Sequence, residues 1–124
     1  MSTYLAIALG GALGAVSRFW LGLHVEKLNT TNFPWGIFTV NVLGSLLIGA
    51  LFVVFTERPS LDVYRPLITV GFLGSLTTFS TFSLDALLLF QQGLYNTALF
   101  YVLSSVVLCL GAALAGMFLA RGLL

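Results

Sequence analysis

Long apolar stretches alternate with short polar segments along the chain. The apolar stretches cover roughly residues 3–24, 36–55, 66–90 and 96–120. An α-helix of about 20 apolar residues is long enough to cross the hydrocarbon core of a bilayer. Strands of a membrane β-barrel would be about 10 residues long with alternating hydrophobicity, which these stretches do not show. The pattern therefore predicts an all-α integral membrane protein, with a single domain of four transmembrane helices over residues 1–124.

Positive residues are nearly balanced across the predicted membrane. With four spans, both termini and the second loop lie on one side, which then holds Arg58, Arg65 and Arg121. The other side holds Lys27, together with Arg18 if that side chain reaches the interface. Because orientation follows the Lys/Arg asymmetry, this weak bias has two interpretations. Either the chain inserts in both orientations, which allows an antiparallel dimer, or it is a singly oriented protein with few positive charges.

Composition supports the membrane assignment and narrows the function. Apolar residue types make up 59% of the 124 residues and charged types 7%, whereas soluble domains are near 25% charged. A net charge of +1 without a basic run gives no indication of a nucleic-acid partner. Proton-coupled transport normally uses buried carboxylates or histidines. Here Asp85, in a vestibule or at the interface, is the sole carboxylate near a span interior, so passive conduction is the transport mode most consistent with the sequence.

Polar residues concentrate in the third stretch. Six of the nine residues from Ser75 to Ser83 carry hydroxyl groups, and glycines precede them. Such hydroxyls can bond back to the carbonyl four residues earlier and leave a helix intact, but this density also suits a helix broken near its middle. Carbonyl oxygens freed at a break are ligands for a small cation such as sodium. Phe79 and Phe82 either pack or direct their positive ring edges at an anion.

Other polar groups within the stretches each have more than one interpretation. Asn41 is either an interhelical bridge or a pore-lining amide. Arg18 reaches the interface, attracts anions, or ties its helix end to carbonyls of another segment. Tyr101, Ser105 and Cys109 share one helix face at a spacing of four residues. They form either a track of weak donors or ordinary interhelical contacts.

Three motifs carry a resemblance to a known family. The first stretch reads Gly-Gly-x-x-Gly-x-x-x-Arg, the second begins Trp-Gly-x-x-x-x-Asn, and the third contains Gly-x-x-Gly-Ser-x-Thr-Thr-Phe-Ser-Thr-Phe-Ser. Together they closely resemble the Fluc (CrcB) fluoride channel family over essentially the entire chain. The third motif is highly specific, whereas the glycine patterns alone would be weak.

The resemblance implies an assembly as well as a fold. Members are antiparallel, dual-topology homodimers in the lipid bilayer, with two fluoride pathways and one structural sodium ion at the dimer centre. Backbone carbonyls at the break of the third helix hold that sodium, and the matching positions here are Gly74 and Thr77. The arginine of the family's first helix falls on Arg18, with a structural or electrostatic role at the vestibule. Ser75 stands where some members have glycine.

The resemblance also implies a fluoride pathway. Cys109 stands where members often have serine, and a thiol is a weaker donor than a hydroxyl. The pathway residues implied by the family are Asn41, Thr78, Phe79, Ser80, Thr81, Phe82, Tyr101 and Ser105.

The implied function is passive, fluoride-selective conduction that lowers cytoplasmic fluoride and protects a prokaryotic cell from its toxicity. The expected location is the inner or plasma membrane, and no enzymatic activity is expected. One alternative is a small dual-topology multidrug/proton exchanger. That class relies on a glutamate buried in its first helix, and residues 3–24 contain none. A non-transporting membrane subunit is the other alternative, but it leaves the polar cluster of the third stretch unexplained.

Overall fold

The computed structural model describes residues 2–124, and the described residues form helices and no strands. Four helical spans are long and apolar enough to cross a membrane. This confirms the predicted all-helical fold class, and the spans run slightly beyond their predicted ends. The spans are α1 (Thr3–Lys27), α2 (Trp35–Glu57), the third span (Pro66–Gln91) and α4 (Tyr95–Leu123).

The third span is not one continuous α-helix. It begins as a π-helical segment, Pro66–Leu73, and continues through a single turn at Gly74–Leu76. Thr77 and Thr78 are then extended, with φ/ψ of −86°/155° and −150°/121°, before α3 begins and runs over Phe79–Gln91. The break near the middle of this span, which the sequence predicted, is thereby confirmed.

Hydroxyl side chains define both edges of the break. On one edge, the amide and the hydroxyl of Thr77 both donate to the carbonyl of Leu73, at 3.1 and 3.0 Å. On the other, the hydroxyl oxygen of Thr78 accepts from the amide of Thr81 at 3.2 Å. Threonine is a favoured N-cap because its side chain satisfies one of the free amides of the first helical turn. The Thr-Thr pair therefore stops one helix and starts the next.

Glycines allow α2 and α4 to approach each other closely. A Cβ added at Gly49 would collide with the carbonyl oxygen of Ala113, and one added at Gly116 would collide with that of Leu46. Backbones pack this closely only where small residues lie at the contact. The contact is reciprocal, so each helix supplies one glycine to the other.

The Gly10/Gly14 pair allows α1 to approach a neighbouring segment equally closely. A Cβ at Gly10 would collide with the carbonyl oxygen of Leu67, and one at Gly14 with that of Phe72. Both acceptors belong to the π-helical segment. The spacing of these two glycines thus permits a close approach of α1 to the first half of the third span.

A cluster of buried residues fixes the loop between α1 and α2 onto the bundle. Phe33 of this loop lies edge-on to the ring of Tyr101, with centroids 5.3 Å apart and planes at 88°. At the start of α2, the carboxylate of Glu26 accepts from the amide of Gly36 at 2.6 Å. The cluster joins the loop to α3 and α4; its buried members are Phe33, Phe82, Leu89, Ala98 and Tyr101.

We predict that Gly116→Ala destabilises the protein much more than Gly111→Ala on the same helix. The added methyl group would meet the backbone of α2 at position 116, but no heavy atom lies within 4 Å of it at position 111. Overpacking of this kind costs about 1–3 kcal/mol. Thermal unfolding of the purified variants in detergent measures the difference. Equal stability of the two variants would contradict the close α2–α4 contact.

Candidate functional site

A cavity of about 390 Å³ lies between α2, the broken third span and α4. We call it the central cavity. Its lining is apolar over much of its area, but polar side chains from three elements reach it. The polar and aromatic lining residues are Asn41, Ser45, Thr69, Thr77, Thr78, Phe79, Phe82, Ser105 and Cys109.

The amide side chain of Asn41 holds the extended backbone at the break. Its Oδ1 accepts from the amide of Thr78 at 2.8 Å, and its Nδ2 donates to the carbonyl of Thr78 at 3.1 Å. Both peptide groups of a non-helical residue are thus satisfied at membrane depth. Asn41 also lines the central cavity. Of the two alternatives left open by the sequence, the interhelical bridge is observed, and the amide nitrogen keeps a second hydrogen.

Two backbone carbonyls at the break lose their usual helical donors. In a continuous helix the amide of Thr78 would donate to Gly74, but here it donates to Asn41. Likewise, the amide of Thr81 would donate to Thr77, but it donates to the hydroxyl oxygen of Thr78. Gly74 and Thr77 both line the central cavity. Their carbonyl oxygens are hard ligands of the kind that small cations accept.

Arg18 reaches the break from α1. Its Nη1 donates to the carbonyl oxygen of Thr77 at 3.5 Å, which leaves a second lone pair on that oxygen. The same side chain lines a second cavity of about 590 Å³ beneath the loop between α1 and α2, which we call the loop-side cavity. Glu26 and Asp85 also line it. Of the alternatives for Arg18, the tie to a carbonyl of another segment is the one observed.

The two phenylalanines of the third span have different surroundings. Phe82 is only 8% exposed and contacts Tyr101, with ring centroids 5.1 Å apart. Phe79 is 78% exposed, although its ring centroid lies 5.5 Å from that of Phe82. Both line the central cavity. One ring is therefore fixed in the core, while the other is open on one side of the single chain.

The hydroxyl cluster after the break mostly caps α3. The hydroxyl of Thr78 donates to the hydroxyl oxygen of Thr81 and lies against that of Ser80, both at 3.2 Å. Thr78 lines the central cavity, but Ser80 and Thr81 are not among its lining residues. Only the first of these three predicted pathway residues thus faces the cavity in the single chain.

The predicted polar face of α4 divides between two environments. Ser105 and Cys109 line the central cavity. Tyr101 is fully buried in the aromatic cluster, and its hydroxyl donates to the carboxylate of Asp85 at 3.4 Å. Asp85 in turn lines the loop-side cavity, which matches the vestibule alternative. Tyr101 thus connects the core to that cavity and does not line the central one.

Thr69 is a cavity residue that the sequence reasoning missed. It lies in the π-helical segment and lines the central cavity. Its sequence signal is slight, because it is a single hydroxyl residue within the apolar run Pro-Leu-Ile-Thr-Val. Its position becomes apparent only from the packing of that segment against the rest of the bundle.

The fold and the site together define a multi-pass α-helical membrane protein with a cavity at a broken helix that several uncharged polar side chains line. Residues 5–117 match the family described as "CrcB-like protein, Camphor Resistance (CrcB)". The chain belongs to this family, and the resemblance drawn from its motifs is confirmed.

Similar curated proteins carry the name "Fluoride-specific ion channel FluC". That of Hahella chejuensis is 51% identical over 119 residues, which cover 93% of this chain and 91% of the relative. That of Magnetococcus marinus is 48% identical over 116 residues, covering 93% and 94%. That of a Ruegeria species is 46% identical over 123 residues, covering 98% and 97%. The likeness therefore extends over nearly the full length of each relative.

We predict that Asn41→Leu loosens the break, because it removes both hydrogen bonds to the backbone of Thr78. Leaving a buried polar group unpaired costs about 1–3 kcal/mol. Hydrogen–deuterium exchange in nanodiscs should show faster exchange at the amide of Thr78. Ser45→Ala, which alters the same cavity wall one turn further along α2, should leave that rate unchanged. Identical exchange in Asn41→Leu and the parent protein would show that the amide clamp does not hold the break.

Proposed function

We propose that this protein is a fluoride-selective channel that conducts the ion passively through the central cavity. The observation that carries the proposal is the cavity itself, whose described lining offers neutral hydrogen-bond donors and aromatic rings but no charged side chain. The name shared by the close relatives supports fluoride as the ion. The activity is conduction, so the protein needs no catalytic group.

Neutral donors suit a small, strongly hydrated anion. Removing the water shell of fluoride is costly unless other donors replace it along the route. Among the cavity-lining residues, Asn41 keeps a second amide hydrogen and Ser105 has a hydroxyl without a partner in the chain. Several weak sites allow an ion to leave as readily as it enters. A fixed positive charge within the cavity would hold the anion too tightly for rapid conduction.

The phenylalanines contribute in a different way. The edge of an aromatic ring is positive and its face negative, so a ring that turns its edge to the path stabilises an anion without donating a hydrogen bond. Phe79 and Phe82 lie 5.5 Å apart along the same cavity. Two such rings favour a small ion, because a close approach to both edges becomes harder as the ion's radius increases. Chloride is excluded on this basis.

A second, antiparallel copy of the chain completes the site in our proposal. One chain offers only two carbonyl oxygens without a backbone donor at its break, those of Gly74 and Thr77, which are too few to enclose a hard cation. A copy related by a two-fold axis through the break doubles the carbonyl oxygens around a central sodium ion. The same copy covers the exposed ring of Phe79. Such a dimer has two equivalent fluoride pathways, and its sodium ion has a structural role.

Arg18 supplies positive potential at one end of the route. It lines the loop-side cavity and also contacts the break through Thr77. A cation beside a water-filled vestibule raises the local concentration of anions. The proposed direction of net flow is outward: fluoride enters a prokaryotic cell as neutral HF, ionises in the cytoplasm and leaves through a channel in the inner membrane. The cell is thereby protected from fluoride.

Efflux from liposomes tests this function directly. Liposomes containing the purified protein and loaded with either fluoride or chloride would be followed with ion-selective electrodes. We expect rapid fluoride efflux and chloride efflux no faster than from protein-free liposomes. Fluoride efflux at the protein-free rate would refute the proposed function.

We predict that Phe82→Ile reduces fluoride efflux about tenfold or more. A barrier to the ion that rises by roughly 1.4 kcal/mol slows the rate by that factor. Isoleucine retains much of the bulk but has no polarised ring edge. Phe118→Ile is the matched control, because Phe118 is exposed on α4 and is not a cavity residue. Parental flux in Phe82→Ile, or an equal loss in the control, would count against a pore role for this ring.

We predict that the chain inserts in both orientations in nearly equal numbers, because its positive charges are almost balanced across the membrane. A Ser2→Cys substitution in a Cys109→Ser background places a single thiol at the start of the chain. A membrane-impermeant maleimide applied to intact spheroplasts should label about half of these chains, as dual topology requires. Labelling of nearly all or almost none would indicate a single orientation and would exclude the antiparallel dimer.

A further inference from the structure

The loop between α1 and α2 inserts one aromatic side chain into the bundle. Phe33 is only 7% exposed, although it lies outside both helices. Besides its edge-on contact with Tyr101, its ring contacts that of Phe38 on α2, with centroids 5.2 Å apart and planes at 74°. Phe33 precedes Pro34, the N-cap of α2, and Phe38 is the fourth residue of that helix, which is the arrangement of a hydrophobic staple. The staple fixes the direction in which the loop enters α2.

Side chains of the loop hold both backbone groups of Phe33. Its carbonyl oxygen accepts from Nδ2 of Asn29 at 2.8 Å, and its amide donates to the hydroxyl oxygen of Thr31 at 3.3 Å. Asn29 and Thr31 are also joined, because Oδ1 of Asn29 accepts from the amide and the hydroxyl of Thr31, at 2.9 and 2.8 Å. Nδ2 of Asn29 donates in addition to the carboxylate of Glu26 at 2.8 Å. The side chain of Asn29 therefore uses both its donor and its acceptor groups to hold the loop.

Glu26 ties this network to both flanking helices. The residue belongs to the last turn of α1, and its other carboxylate oxygen accepts from the amide of Gly36 in the first turn of α2. The first amides of a helix need an acceptor from outside the helix, and the N-cap residue Pro34 has no side-chain group that can accept. The loop is thus fixed at its two ends as well as at Phe33.

The position of Phe33 affects the wall of the central cavity. Its ring contacts that of Tyr101, and the ring of Tyr101 contacts that of Phe82. Because Tyr101 is fully buried in a close-packed interior, a displacement of Phe33 must be accommodated by Tyr101 and then by Phe82. Phe33 lines the loop-side cavity and Phe82 the central cavity. Three packed rings therefore run from one cavity to the other.

We propose that the loop between α1 and α2 is a positioning element of the central cavity: Asn29 fixes Phe33, and Phe33, through Tyr101, fixes the ring of Phe82 at the cavity wall. The consequence for fluoride rests on the proposed function, since a ring stabilises an anion only when its edge faces the ion. Neither Asn29 nor Thr31 lines the central cavity. Both are therefore positioning residues and not ligands of the ion.

The mobility of the Phe82 ring tests this proposal independently of conduction. NMR of the purified protein with isotopically labelled phenylalanine rings measures ring-flip rates, and the signal missing from Phe82→Ile identifies the residue. Asn29→Asp removes both hydrogen bonds donated by Asn29 and places a second carboxylate beside Glu26, so the flip rate should rise about tenfold. Asn32→Asp is the matched control, because it makes the same charge change in the loop-side cavity but lies outside these hydrogen bonds. Its flip rate should equal that of the parent.

Thr31→Val provides a second, uncharged test. It keeps the shape of the side chain but removes the hydroxyl that accepts from Phe33 and donates to Asn29. Thr30→Val is its control, because Thr30 is exposed and lies outside these hydrogen bonds. Faster flips in Thr31→Val but not in Thr30→Val would support the proposal even if Asn29→Asp failed to fold. A Phe82 flip rate that stays at the parental value in the loop variants, or that rises equally in the controls, would overturn it.

Fluoride efflux from liposomes then tests the consequence for conduction. Asn29→Asp should lower efflux about threefold, and Asn32→Asp should leave it unchanged. In a Phe82→Ile background, Asn29→Asp should cause no further loss, because residues that act through one group are not additive. Losses that multiply would show that Asn29 does not act through Phe82. If the parent protein shows no fluoride efflux, the proposed channel is refuted, whereas the ring-flip rates still decide the positioning role of the loop.

Discussion

Backbone peptide groups in a hydrocarbon environment must be hydrogen-bonded within the protein, and the rest of this structure depends on how the third span meets that requirement. A continuous helix would satisfy every group automatically. The extended pair Thr77–Thr78 gives up that automatic pairing at membrane depth. Three side chains replace it. Asn41 pairs with both peptide groups of Thr78, Arg18 donates to the carbonyl of Thr77, and the hydroxyl of Thr78 caps the helix that follows.

The break determines where the chemically useful groups lie. It places Gly74 and Thr77, whose carbonyls have lost their usual backbone donors, at the wall of the central cavity, which the ring of Phe82 also lines. It also requires a partner helix close enough to supply Asn41. α2 and the break lie close together there, because a Cβ at Gly44, three residues after Asn41, would collide with the side chain of Thr77. The close contacts at glycines and the hydrogen bonds to the backbone of the break therefore depend on the same packing arrangement.

Much of the fold follows from the sequence, because it depends on local properties. The lengths of the hydrophobic stretches predict the four spans, and the density of hydroxyl residues beside glycines predicts the break. The hydrogen-bond partners of individual polar groups were harder to predict from the sequence. Nothing local shows that Tyr101 pairs with Asp85 in the core, that Ser80 and Thr81 gather on the N-cap Thr78, or that Thr69 faces a cavity. Those contacts depend on how separate helices pack. That packing is determined by the whole sequence and cannot be predicted from a short segment of it.

The most direct test of this account is the backbone conformation of Thr77 and Thr78 in a lipid bilayer. Solid-state NMR of the isotopically labelled protein in liposomes reports it through the Cα and Cβ chemical shifts of these two residues. The account predicts shifts typical of extended backbone at Thr77 and Thr78, flanked by helical shifts at Leu76 and Ser80. Helical shifts at all four residues would mean that the third span is continuous in the membrane, and would contradict the origin of the cavity described above.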